Sequence, residues 1–238
     1  MSVKTLKING IDVAVEAGTS ILHAAQEAGI RIPTLCHLEG VSDVSACRLC
    51  LVEIKGSDRL FPSCVTEVSE EMEVFTNTEQ LQENRKMLIE LLFAEGNHVC
   101  AVCVANGNCE LQDVAIEVGM DHTRFNYQFP HRDVDLSHPQ FGIDHNRCIL
   151  CTRCVRVCAE IEGAHVWDVG FRGEHAKIIS GLNQPWGDVE ACTSCGKCVE
   201  ACPTGTIFRK GSTTGEKERD RTKVEFLSLA REKHQWTR

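Results

Sequence analysis

Two cysteine runs of identical spacing constrain this chain more than anything else in it. Cys148, Cys151, Cys154 and Cys158 form one C-x2-C-x2-C-x3-C run. Cys192, Cys195, Cys198 and Cys202 form another, followed at once by Pro203. Cys36, Cys47, Cys50 and Cys64 are spaced C-x10-C-x2-C-x13-C, and Cys100, Cys103 and Cys109 lie together in NHVCAVCVANGNCELQ. These groups account for all 15 cysteines of the chain. An odd number of thiols in short-spaced groups suits metal ligation better than a disulfide framework. No apolar run of signal-peptide length opens the sequence, and no stretch of about 20 apolar residues follows, so a cytoplasmic chain without a membrane span is expected.

The paired runs carry the spacing of two-cluster bacterial ferredoxins, in which the fourth cysteine of each run serves the other cluster. The expected ligand sets are therefore Cys148, Cys151, Cys154 and Cys202 for one [4Fe–4S] cluster, and Cys192, Cys195, Cys198 and Cys158 for the other. Two successive two-residue gaps followed by a three-residue gap put too many thiolates in one loop for a tetrahedral zinc site. The Cys36, Cys47, Cys50, Cys64 group supplies the four thiolates of a [2Fe–2S] centre on loops whose backbone N–H groups can face the sulfurs. A zinc site or buried free thiols remain the plainer alternatives for that group, although zinc more often takes two C-x2-C pairs. Cys100, Cys103 and Cys109 are one ligand short of a cubane, and His98 is the nearby candidate. A neutral imidazole there replaces one thiolate charge and raises the reduction potential, as in Rieske centres. The ledger then closes at one [2Fe–2S] and three [4Fe–4S] clusters, about 14 iron atoms.

Periodicity places these groups. Alternating apolar residues around Asn9-Gly10 predict a hairpin over 3–16. A helix follows over 20–28, capped by Thr19 or Ser20 and stopped at Gly29, then short strands at 51–55 and 73–76, which is a β-grasp order. Helices are expected over 78–94 and 110–118, and a hairpin around Arg172-Gly173. The fold class is α+β. Its parts are a β-grasp [2Fe–2S] ferredoxin domain (1–77), a small helical His/Cys3 cluster domain (78–118), a linker (119–138), a two-[4Fe–4S] ferredoxin domain (139–211) and a charged tail (212–238). From Arg209 onward the chain has nine Lys/Arg against five Asp/Glu, and Val224, Leu227 and Leu229 suit a docking helix there.

Other features narrow the function. A net charge of −9 disfavours nonspecific binding to nucleic acid or anionic membrane. No dinucleotide fingerprint, Walker loop or flavin-phosphate loop is present, and no cysteine is spare for catalysis. NAD, flavin and any catalytic metal are therefore expected on partners. Trp167, Trp186 and Trp236 read as packing or interface residues. Arg153, Arg156 and Lys197 read as solvated charges, and His122, His131, His138 and His145 receive no metal.

The segments PTLCHLEGVSDVSACRLCLVEI, LLFAEGNHVCAVCVANGNCELQ, FGIDHNRCILCTRCVRVC and ACTSCGKCVEACPTG resemble the small iron–sulfur diaphorase subunit of bidirectional NAD-reducing nickel–iron hydrogenases. They are related more widely to the N-terminal half of iron-only hydrogenases and to the large iron–sulfur subunit of NADH–quinone oxidoreductase. The resemblance runs over 1–238 and implies a chain that ends where that subunit ends. It implies a non-catalytic relay subunit of a hydrogen:NAD+ oxidoreductase. The implied partners are a flavin (FMN)- and NAD-binding diaphorase subunit, a small [2Fe–2S] subunit and nickel–iron hydrogenase subunits, with ferredoxin or flavodoxin as further partners. A relay in an NAD-dependent formate dehydrogenase or a complex-I-like enzyme is the second reading, and a zinc-stabilised interaction scaffold the third. The wider family places its ligand histidine as H-x3-C; here that position is Gly96, with His98 two residues on.

Overall fold

The computed structural model describes residues 2–218. The expected tail helix around Val224, Leu227 and Leu229, and Trp236, lie outside the described residues. The chain divides into two compact units.

The first unit comprises residues 2–37, 43–90 and 114–122. Strands β1 (Val3–Ile8) and β2 (Ile11–Glu16) form the expected hairpin. Asn9 and Gly10 both take the left-handed conformation, which gives the turn the twist of its strands. Alternation then sends Leu6, Ile8, Val13 and Val15 to one buried face. Helix α1 (Ile21–Glu27) packs on that face through Ile21, Leu22, Ala24 and Ala25. The Ser20 hydroxyl accepts from the His23 N–H to cap it, and Gly29, at φ 69°, turns the chain out of it. Strands β3 (Leu51–Ile54), β4 (Leu60–Pro62) and β5 (Met72–Phe75) complete a five-stranded sheet of order β2-β1-β5-β3-β4, with β5 parallel to β1. Each fully buried aliphatic side chain of this core contributes about 1.5–3 kcal/mol. Sequence periodicity missed β4, a three-residue edge strand that ends in Pro62.

Helix α2 (Glu79–Glu95) starts where the Thr78 hydroxyl accepts from the Leu81 N–H. Its Arg85 is 2% exposed and donates to the carbonyls of Leu49, Leu51 and Thr76. This arginine braces the backbone on both sides of Cys50.

The second unit comprises residues 38–42, 91–113 and the described residues from 123. Helix α3 (Glu110–Glu117) follows the Cys100–Cys109 loop. The stretch expected as a linker contains β6 (Val134–Asp135), which pairs with β7 (Phe141–Asp144), and buried His138. Strand β7 is central to a three-stranded sheet, and β8 (Trp167–Gly170) pairs with β9 (Lys177–Ser180) as the expected hairpin. Helices α4 (Arg153–Arg156) and α5 (Lys197–Ala201) occupy equivalent places in the two cysteine runs, and β10 (Ile207–Arg209) closes the sheet in the order β10-β7-β6. After α4 the helix widens into a π-turn over Val157–Glu162. Such bulges gather at functional sites, and this one carries Cys158. Phe141, Trp167, Trp186, Val157, Val199 and Ile207 form the core between these elements. Among the described residues, no helix is long and apolar enough to cross a membrane.

Candidate metal centres

The first group sits on the loops around β3. Cys36, Cys50 and Cys64 are buried and Cys47 is half-buried. The Cys47 N–H donates to Cys36 Sγ (3.5 Å) and the Leu35 N–H to Cys47 Sγ (3.4 Å). The thiols meet in two pairs. Cys36 hydrogen-bonds Cys47 and lowers its thiol to about 7, while Cys50 and Cys64 share the second contact, which lowers Cys50 and raises Cys64. Ser45 and Arg48 adopt left-handed backbone, at φ 53° and 57°, which curls the loop around its sulfurs.

The second group faces a pocket lined by His98, Cys100, Cys103 and Cys109 together with Arg147, Thr204 and Gly205. His98 Nε2 is buried without a hydrogen-bond partner. The Leu92 carbonyl hydrogen-bonds the ring, which lines the same pocket as the three thiols, while Nε2 itself lies against Gly96. An anchored imidazole of this kind is a common metal-ligand arrangement. Burial, then the Arg147 guanidinium, lowers the ring to about 4 against the Leu92 hydrogen bond, so it is neutral at physiological pH. Gly96 explains the short spacing: a Cβ there would collide with His98 Nε2 and Cδ2. The missing side chain leaves the space that His98 occupies. A Cβ at Gly205 would likewise overlap Cys103 Sγ.

The third and fourth groups line separate pockets. One is lined by Cys148, Cys151, Cys154 and Cys202, the other by Cys158, Cys192, Cys195 and Cys198. Each cavity thus takes three cysteines from one run and the fourth from the other. The loops repeat in detail. Leu150 and Thr152 are left-handed in the first run, and Ser194 and Gly196 at the same positions in the second. Burial pushes the thiols of Cys148 and Cys151 up to about 12 and about 11, and raises those of Cys154, Cys158 and Cys198. Thiolates this buried need a cation beside them to persist. Burial also pushes up on Cys202, but the Lys217 ammonium and the N–H groups of Ile207 and Thr204 outweigh it and hold that thiol below its ordinary value.

The spread of the sulfurs bears on which metal fits. A single zinc about 2.3 Å from each sulfur would draw them closer than 4.8 Å. Among the described residues, no three cysteine sulfurs converge within 4.8 Å. The compact trio is instead His23, His37 and Asp43, whose ring nitrogens engage Ser20, Asp43 and Gln26. The donor chemistry and the spread of the sulfurs fit polynuclear clusters.

Several side chains differ from the sequence reading. Arg153 and Arg156 are buried rather than solvated. Arg153 pairs with Glu110 (2.8 Å), Arg156 donates to the carbonyls of Ser42 and Cys151, and half-buried Lys197 pairs with Glu162. Trp186 packs as expected but also donates from Nε1 to Cys192 Sγ (3.3 Å), and Trp167 hydrogen-bonds Cys198. His138 packs against both Phe141 and Trp186, which also stack on each other, and contacts Ser194. Large aromatic rings suit packing positions, but nothing in sequence marks the ring N–H groups of these tryptophans as sulfur donors.

Family models match in the same order. A 2Fe-2S iron-sulfur cluster binding domain matches residues 3–79, the NADH-ubiquinone oxidoreductase-G iron-sulfur binding region matches 85–124, and the ferredoxin-like domain of NADH-quinone oxidoreductase subunit 3 matches 139–208. The gamma subunit of the NAD-reducing hydrogenase HoxS of Cupriavidus necator is 35% identical over 206 residues, covering 86% of this chain and 86% of that protein. The chain belongs to this hydrogenase gamma-subunit family. A crystal structure of an NAD+-reducing [NiFe]-hydrogenase in the H2-reduced state superposes with a TM-score of 0.83 at 34% identity, covering 88% of each chain. The alpha subunit of the NADPH-Fe(3+) oxidoreductase of Geobacter sulfurreducens is 41% identical over 87% of this chain, yet the chain spans only 24% of that protein's length. The same cluster-binding architecture therefore also occurs within much longer oxidoreductase subunits.

Proposed function

We propose that this chain is the electron-relay subunit of the diaphorase part of an NAD-linked hydrogenase. The observation that carries the reading is the end-to-end similarity to the gamma subunit, together with four ligand groups that each present four sulfur or imidazole donors. Cys36, Cys47, Cys50 and Cys64 would hold a [2Fe–2S] cluster, the two thiol pairs suiting its two irons. His98, Cys100, Cys103 and Cys109 would hold one [4Fe–4S] cluster, and the two crossed sets the others. Such clusters, once bound, supply one-electron transfer without bond making at the substrate.

The chain's own part is to fix and tune the centres. Left-handed loop residues turn N–H groups toward the sulfurs, as at Leu150, whose N–H donates to Cys148 Sγ (3.5 Å), and Val166 does the same for Cys158 (3.4 Å). Cys151, Cys154, Cys158, Cys198 and Cys202 are buried, whereas Cys195 is exposed. The crossing of Cys158 and Cys202 ties the two loops into one body. The sequence carries no dinucleotide-binding fingerprint, so FMN and NAD would sit on a partner diaphorase subunit. A small [2Fe–2S] subunit and a nickel–iron pair would complete a cytoplasmic complex that interconverts H2 and NAD+ with NADH and a proton.

Anaerobic purification of the native complex, with subunit identification and metal analysis, tests this. Nickel co-purifying with a flavoprotein is the expected result. Molybdenum in its place would transfer the relay to a formate-dehydrogenase type of complex.

A further inference from the structure

The two cysteine runs are near-copies in spacing and loop backbone. Arg153 and Lys197 occupy the same position in each run, and each is paired with a glutamate, Glu110 and Glu162. Arg156 and Glu200 share the next matching position and differ in charge; both are buried, Arg156 donating to the Cys151 carbonyl and Glu200 accepting from Arg209. A further cation reaches the first centre from outside the repeat. Lys217 is 4% exposed although its neighbours from 213 to 216 are all exposed. Lysine is rarely this buried without a charged partner, and among the described residues no carboxylate pairs with it.

Its position is over-determined. The Lys217 N–H donates to the Val104 carbonyl (2.8 Å), its own carbonyl accepts from Asn108 Nδ2 (2.9 Å), and the Gly215 N–H donates to the Cys103 carbonyl (3.1 Å). The segment is thus strapped to the His98 and Cys100–Cys109 loop. From there Nζ donates to the carbonyls of Thr204 (2.5 Å), Ile207 (2.8 Å) and Cys202 (3.4 Å). All three residues line the cavity of Cys148, Cys151, Cys154 and Cys202, and only Thr204 also lines that of His98. The ammonium is therefore aimed at one of the four centres.

We propose that Lys217 is a positioning residue that sets the potential of that centre, holding it above its pseudo-symmetric twin at Cys158, Cys192, Cys195 and Cys198. The inference rests on the reading that the crossed sets hold [4Fe–4S] clusters. Reduction adds one negative charge to a cluster, and a fixed cation in a dry environment favours that added electron. With Lys217 in place, electrons rest preferentially on the cluster it faces.

The test is a redox titration followed by EPR on the anaerobically purified full chain, comparing Lys217→Met, Lys217→Gln and Lys217→Arg. The signal to follow is the one lost in Cys151→Ser. Met and Gln should weaken reduction of that cluster on the order of tenfold, about 59 mV for one electron, while Arg holds it near the native value. The His98 and Cys192 centres should barely move. Unchanged potentials in Met and Gln with all clusters present would overturn the proposal, as would an equal shift in every centre. If Met loses the cluster, Gln and Arg still decide, and iron loss in all three would show a purely structural strap. Absence of cubane signals in the unmodified chain would instead refute the cluster reading itself.

Discussion

At the scale of single residues, His98 and Gly96 act as one unit. The ring fits because residue 96 has no side chain, so His98→Ala and Gly96→Ala should damage the same centre. Both variants are expected to lose one [4Fe–4S] EPR signal and leave the [2Fe–2S] signal intact; a native spectrum and iron content in His98→Ala would remove it as a ligand. Arg85 makes a second residue-level prediction. It satisfies three backbone carbonyls from a buried position, so Arg85→Met should cost about 2–4 kcal/mol in denaturant and release the [2Fe–2S] absorbance early. A shift below about 0.5 kcal/mol would contradict that role. The legibility of these residues differs for physical reasons. His98 could be read from sequence because three neighbouring cysteines lack a fourth donor. Gly96, Arg85 and Lys217 could not, because each acts through space on partners that sequence spacing does not specify.

At the scale of elements, the cysteine runs were the most legible part of the chain, since ligand spacing and loop geometry are the same constraint. The Asn9-Gly10 hairpin, α1 and the hairpin β8–β9 were legible for a related reason: their turn and cap residues are local. Strand β4 and strand β6 are too short for periodicity, and tertiary pairing alone defines them. The crossed cavities carry the element-scale test. Cys158→Ala should destroy the centre lined by Cys192, Cys195 and Cys198 and spare the one lined by Cys148, Cys151 and Cys154, read by EPR. Damage confined to the latter would refute the crossing. Trp186 offers a subtler test. Its Nε1–H donates to Cys192 Sγ, and donors to cluster sulfurs raise the potential. Trp186→Phe should lower the potential of that centre by about 1 kcal/mol, on the order of 40 mV, and an unchanged value would limit the tryptophan to packing.

At the scale of the whole molecule, both hydrophobic cores include cysteines of the ligand groups. Aromatic residues make up 5% of the sequence against 15 cysteines, and the cores described above pack directly on the cysteine loops. Bound clusters would therefore stabilise the fold as well as carry electrons, by the linkage that couples metal binding to folding. In the reading proposed above, every cysteine, with His98, ligates an iron–sulfur cluster. The direct measurement is iron, zinc and acid-labile sulfide per chain after anaerobic purification. Full occupancy predicts about 14 iron and about 14 sulfide, with no stoichiometric zinc. Zinc without sulfide, in protein that is otherwise folded, would contradict it.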